Sequence, residues 1–145
     1  MRIVHPSRLL TFALVIDAIG SAASALLQLG LPDTLARQLH LPAPWVLGTG
    51  AFMLAYAATL AWLARRERLA AAIVVVIATG NLAWALACAA VAASAVPGID
   101  PSGQGVAYLA LQGVAVTAFA VLQALGLRRS DAAAPPAVAR TVRVA

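Results

Sequence analysis

Four long apolar runs, divided by short charged or proline-bearing connectors, constrain this chain more than any other feature. They are Leu9–Leu31, Pro44–Leu63, Leu69–Ala95 and Gln104–Leu127, of 23, 20, 27 and 24 residues. At a helical rise of about 1.5 Å per residue, even the shortest reaches about 30 Å, the thickness of a bilayer's hydrocarbon core. A backbone in lipid must satisfy its own hydrogen bonds, so such runs form helices rather than open strands. Composition removes the soluble alternative. Hydrophobic residues make up 63% and charged residues 10% of the chain, whereas soluble domains average about 45–50% and about 25%. The expected fold is all-α: an integral membrane four-helix bundle forming one domain over 9–129, with spans 9–31, 44–63, 69–95 and 104–127.

The connectors agree with that division. Residues 1–8 form a short leader. Pro32-Asp33 opens a short amphipathic pattern in which Leu35 and Leu39 oppose Arg37 and Gln38. It reads as a one- or two-turn interfacial helix between spans one and two, with Asp33 as its N-cap. Arg65-Arg66-Glu67-Arg68 is a tight charged turn, and the stretch from Pro97 to Gly103 is a rigid, turn-rich loop. Pro44 suits a first helical turn, and Pro97 follows the third span where a helix should end. The tail over 130–145, with Pro135-Pro136, lacks an apolar period and is expected to be disordered.

Charge gives the orientation. All ten basic residues are Arg, against five acidic residues. Arg2, Arg8, Arg65, Arg66, Arg68, Arg128, Arg129, Arg140 and Arg143 fall on one side of a four-span chain, and only Arg37 on the other. The positive-inside rule then puts both termini in the cytoplasm. These arginines flank apolar runs instead of interleaving with aromatics, so no nucleic-acid partner is expected. The bilayer is the expected partner, with another membrane protein or a second copy as a candidate. An Ala- and Arg-rich chain without Lys suggests a GC-rich bacterial genome, and hence a bacterial inner membrane. A cleavable signal peptide is the competing reading of the first span, since Ala23-Ser24-Ala25 resembles a cleavage site. Asp17 interrupts its apolar region, however, and the run continues to Leu31.

Asp17 is the most informative residue. A carboxylate near the centre of a span costs about 2.5–3.5 kcal/mol to insert, so it should face the bundle interior or a hydrated cavity. Asp17, Ser21, Ser24 and Gln28 follow at i, i+4, i+7 and i+11 and share one narrow face. That face is either the lining of a ligand or proton site or a hydrogen-bonded packing seam. Asn81, Trp84 and Cys88 repeat the pattern in the third span. Thr49, Phe52, Tyr56 and Thr59 share a face in the second, and Tyr108, Gln112, Phe119 and Gln123 in the fourth. Counting inward from the arginines places Asp17 and Tyr56 about 13–14 Å deep, Asn81 near 19–20 Å and Gln112 near 24 Å. The candidate polar centre is therefore Asp17, Ser21, Tyr56 and Asn81, with Ser24, Gln28, Trp84 and Gln112 above them. Cys88 reads as an apolar filler, Trp45 and Trp62 as interfacial belt residues, and His5 and His40 as solvated or interfacial.

No phosphate loop, H-E-x-x-H, cysteine pair or nucleophile elbow occurs. No metal, cofactor or catalytic residue is expected, and a non-enzymatic protein is the favoured reading.

The order of features resembles the DoxX-like group of small bacterial four-helix membrane proteins. The likeness spans Leu9 to about Arg129. It rests on Asp17-Ala18-Ile19-Gly20 in the first helix, on Gly30-Leu31-Pro32 leading to Leu41-Pro42, and on a Gly-containing second helix, an Arg turn and two further spans. Where Lys is common in that family's first helix end, this chain has Gln28 and Leu29. The resemblance implies a four-helix bundle, uncharacterised or accessory to respiratory and redox membrane systems. Two functions follow as expectations. One is an accessory or structural subunit of a membrane complex. The other is a binding or transport-related bundle holding a small molecule, lipid, quinone-like ligand or proton around Asp17.

Overall fold

The computed structural model describes residues 2–132 and is built almost wholly of helices. In chain order the elements are β1 (Ile3–Val4), α1 (Arg8–Gly30), α2 (Pro32–Leu39), α3 (Ala43–Ala64), β2 (Leu69–Ala70), α4 (Ala71–Ala92) and α5 (Gly103–Ala132). Helices α1, α3, α4 and α5 are each long and apolar enough to cross a bilayer. Their outward faces match that length: Ile19, Val76, Leu86, Leu111 and Val114 are 63–72% exposed. So much bare apolar surface is stable against acyl chains and not against water. The chain is an all-α, multi-pass four-helix bundle.

Helix ends depart from the sequence pattern where local geometry intervenes. α2 is capped by Leu31, and Asp33 lies inside its first turn, not at the N-cap. The reason is Pro32, whose fixed φ seats it in the first turn and starts the helix before Asp33. The third span is shorter than its apolar run at both ends. At its start, β2 leaves the helix to pair antiparallel with β1 (Ile3 with Ala70, Val4 with Leu69). At its end, Ser94 turns left-handed (φ 51°). The Ser94 N–H then donates to the Val91 carbonyl and the Ala95 N–H to the Ala90 carbonyl, each at 3.0 Å. These two bonds close a Schellman turn. α2 ends in the same way at His40 (φ 54°), with the Leu41 N–H donating to the Ala36 carbonyl at 3.1 Å. α5 instead runs past Leu127, so Ser130 and Asp131, expected in a disordered tail, are helical. Residues 133–145 of that tail lie outside the described residues.

α1 is central to the packing, lying along α3 on one side and α5 on the other, and α5 in turn carries α4. The α1–α5 crossing is close because residue 126 is glycine: a Cβ there would sit 2.6 Å from the Leu10 Cα. The Ser7 hydroxyl accepts from the Leu10 N–H (3.3 Å) and donates to the Gly126 carbonyl (2.8 Å), so the cap of α1 also ties it to α5. By contrast α3 and α4, consecutive in the chain, scarcely meet.

The interior is layered along the bundle axis. At the arginine-rich end, Leu10, Leu14, Leu60, Leu63 and Val74 form an apolar core. At the other end α2 lies across the bundle with Leu35 and Leu39 packed on Val46. α2 is latched by the start of α5. Ser102 donates its hydroxyl to the Gln38 carbonyl (2.6 Å) and its N–H to the Leu39 carbonyl (3.0 Å). A Cβ at Gly105 would run into the Leu39 carbonyl.

Candidate functional site

Between those two layers all four spanning helices meet at Asp17, which is fully buried. Its Oδ2 accepts from Asn81 Nδ2 on α4 and from Gln123 Nε2 on α5, both at 2.8 Å, and from the Tyr56 hydroxyl on α3 at 3.1 Å. Its Oδ1 accepts from the Ser21 hydroxyl one turn along α1, at 3.2 Å. Asn81 also donates to Gln123 Oε1 (3.3 Å), and Asn81 Oδ1 offers the Tyr56 proton a second acceptor at 3.1 Å. No cation pairs with Asp17 among the described residues. The carboxylate is held by neutral donors alone, and no buried side-chain N or O in the described residues lacks a partner. A satisfied buried network of this kind fixes how four helices sit relative to one another. Every polar side-chain atom around Asp17 already has a partner within the bundle.

A second polar group lies nearer α2. Thr49 donates to Gln28 Oε1 at 2.7 Å, and Gln28 Nε2 donates to the Tyr108 hydroxyl at 2.8 Å, joining α3, α1 and α5. Trp84 Nε1 on α4 donates to Gln112 Oε1 on α5 at 3.1 Å. These five side chains line a cavity of about 190 Å³ whose roof is α2, through Leu35 and Leu39. The rest of its wall is apolar, including Val46, Cys88 and Val91. Asp17 and Asn81 do not line it. Three stacked rings connect the two levels: Tyr56 with Phe52 (centroids 6.1 Å apart) and Phe52 with Trp84 (5.8 Å). Tyr56 belongs to the Asp17 network, and Trp84 to the pocket wall.

The chain matches no known protein family, no curated protein and no solved structure. Its site therefore stands on geometry alone.

The candidate residues separate into two groups. Asp17, Ser21, Tyr56 and Asn81 come together in one network, whereas Gln28, Trp84 and Gln112 line the pocket. Ser24 is half-buried and joins neither hydrogen-bond network. Gln123 belongs to the Asp17 network, and Thr49 and Tyr108 to the pocket, although the sequence marked them only as sharing a polar face. Thr59, on the face of Thr49 and Tyr56, is exposed and donates to the Ala55 carbonyl of its own helix (2.9 Å). Among the described residues no three His, Cys, Asp or Glu side chains gather around a possible metal position.

Proposed function

We propose that this protein is a membrane-embedded binding protein. Its pocket beneath α2 holds a small, largely apolar ligand by a polar end, and Asp17 is the clasp that keeps the four helices in the arrangement forming the pocket. The observation that carries this reading is an apolar cavity with a few polar groups converging from all four spanning helices, the usual make-up of a small-molecule site. The distribution of arginines supports a bacterial inner-membrane protein with both termini cytoplasmic, and so a pocket in the outer half of the bilayer. The order of helices, with a short amphipathic one after the first span, supports a place among the DoxX-like bundles.

The test is mass spectrometry of small molecules retained by protein extracted with its native lipid. A ligand should travel with the wild type. It should be absent from Leu39→Trp, which fills the cavity, provided the unfolding temperatures of the two agree.

One observation favours the accessory-subunit reading. An open groove on the outer face between α4 and α5 is lined by small residues, among them Ala85, Ala89, Ala110 and Gly113. Small side chains let a further helix approach closely and pack. That reading requires a larger membrane protein to co-purify, and Gly113→Leu to abolish the association.

A further inference from the structure

On the reading that the pocket is a ligand site, we infer that it is loaded sideways from the bilayer through the seam between α3 and α4. Its ligand is a neutral amphiphile whose hydrogen-bond-accepting head meets the Tyr108 hydroxyl.

The seam is an open flank of the pocket. α3 and α4 scarcely meet, and only side chains bridge them: the Tyr56–Asn81 hydrogen bond and the Phe52–Trp84 stack. Both bridges lie on the arginine side of the pocket. From Trp84 toward α2, no hydrogen bond or ring contact joins the two helices among the described residues. Trp45 on α3 and Ala87 on α4 line the cavity yet are exposed on the outer surface. The aqueous side is closed instead. Leu35 and Leu39 are buried in the roof, and Ser102 and Gly105 hold the end of α2 down. A molecule in the acyl layer meets a gap, whereas one in water meets a latched helix.

The lining states the chemistry. It carries no charged side chain, so a charged head would lose its hydration without gaining a partner. The Gln28 amide is engaged by Thr49 and Tyr108, and the Trp84 N–H by Gln112. The Tyr108 hydroxyl meets the Gln28 amide at 2.8 Å and lies beside the Gln112 side chain. A hydroxyl both donates and accepts, so it can exchange a partner in the wall for a carbonyl, ether or hydroxyl oxygen on the ligand. Apolar cavities of about 150 Å³ already take up benzene, whereas sites for drug-sized ligands start near about 300 Å³. At about 190 Å³ this pocket admits a head and a short chain or single ring, with any remainder left in the seam.

The test is photolabelling in vesicles, with attachment sites mapped by mass spectrometry. The bilayer-borne probe is a fatty-acid methyl ester carrying a diazirine beside the ester. The water-borne probe is the diazirine analogue of leucine. We expect the methyl ester to label Gln28 and Tyr108 inside the pocket as well as Leu111 and Val114 on the outer surface. Ala87→Phe adds bulk at an exposed rim position, so it should leave the unfolding temperature unchanged. It should lower the inner labelling several-fold and spare the outer labelling. Tyr108→Phe should lower inner labelling by the ester but not by a headless diazirine hydrocarbon of equal length. Unchanged inner labelling in Ala87→Phe, or inner labelling by the water-borne probe instead, overturns the sideways route and leaves the ligand site standing. Equal loss of ester and hydrocarbon in Tyr108→Phe overturns the assignment of the head. If no probe reaches Gln28 or Tyr108, the binding site itself falls, and the route with it.

Discussion

At the scale of single residues, Asp17 behaves as an acceptor that four donors converge on, drawn from all four spanning helices. Removing the charge and removing the acceptor should therefore have different effects. In Asp17→Asn the amide oxygen can take over the Oδ2 bonds, and the amide nitrogen can donate to Ser21. The ionic character of those bonds is lost and one amide N–H goes unpaired, together about 1–2 kcal/mol. In Asp17→Leu, Gln123 Nε2 loses its one acceptor, and Asn81 and Tyr56 each lose one of two, so the cost should exceed about 2 kcal/mol. Denaturant or thermal unfolding in micelles measures both. An Asp17→Leu protein as stable as the wild type would remove the clasp. Interhelical hydrogen bonds in membranes are individually modest, averaging about 0.6 kcal/mol, so several converging bonds are needed for an effect of this size.

Among the elements, two places concentrate constraint. The first is the α1–α5 crossing. Gly126→Ala would force a methyl against the Leu10 backbone and disturb the carbonyl that takes bonds from Ser7 and Ser130, both at 2.8 Å. The expected loss is about 1–3 kcal/mol, read as a lower unfolding temperature. The second is the end of α2, where His40 holds a left-handed conformation that carries a steric cost for any residue with a Cβ. His40→Gly keeps the Schellman turn and removes that cost. It should raise stability by up to about 1 kcal/mol in the same assay, and a drop would show that the imidazole makes a contact of its own.

For the molecule as a whole, function follows from the order of layers: an apolar core at the arginine end, a polar clasp in the middle, and a roofed pocket at the far end. Orientation in the membrane decides which leaflet supplies the pocket. Reporter fusions at the N-terminus, in the Arg65–Arg68 turn and after Ala132 should all report the cytoplasm. A fusion in the Pro97–Ser102 loop should report the opposite compartment. Any other pattern would move the pocket to the inner leaflet or change the number of crossings.

The sequence by itself determined what depends on one helix at a time. Span number, the polar face of Asp17, Ser21 and Gln28, and the wet and buried faces of α2 follow from run length and the 3.6-residue period, which are properties of consecutive residues. Helix ends were legible to within a turn, even where Ser94 turned left-handed without a glycine to announce it, except where α5 continued to Ala132. Tertiary structure alone decided which polar faces meet. Gln123, not Gln112, reaches Asp17, and Thr49 finds Gln28 while Thr59 turns outward to bond its own backbone. It also decided that α3 and α4 stay apart, leaving a pocket in the gap. Those outcomes depend on where two helices cross and how far each is rotated. A close approach at a residue such as Gly126 sets that rotation from a distance in the chain that no local pattern spans.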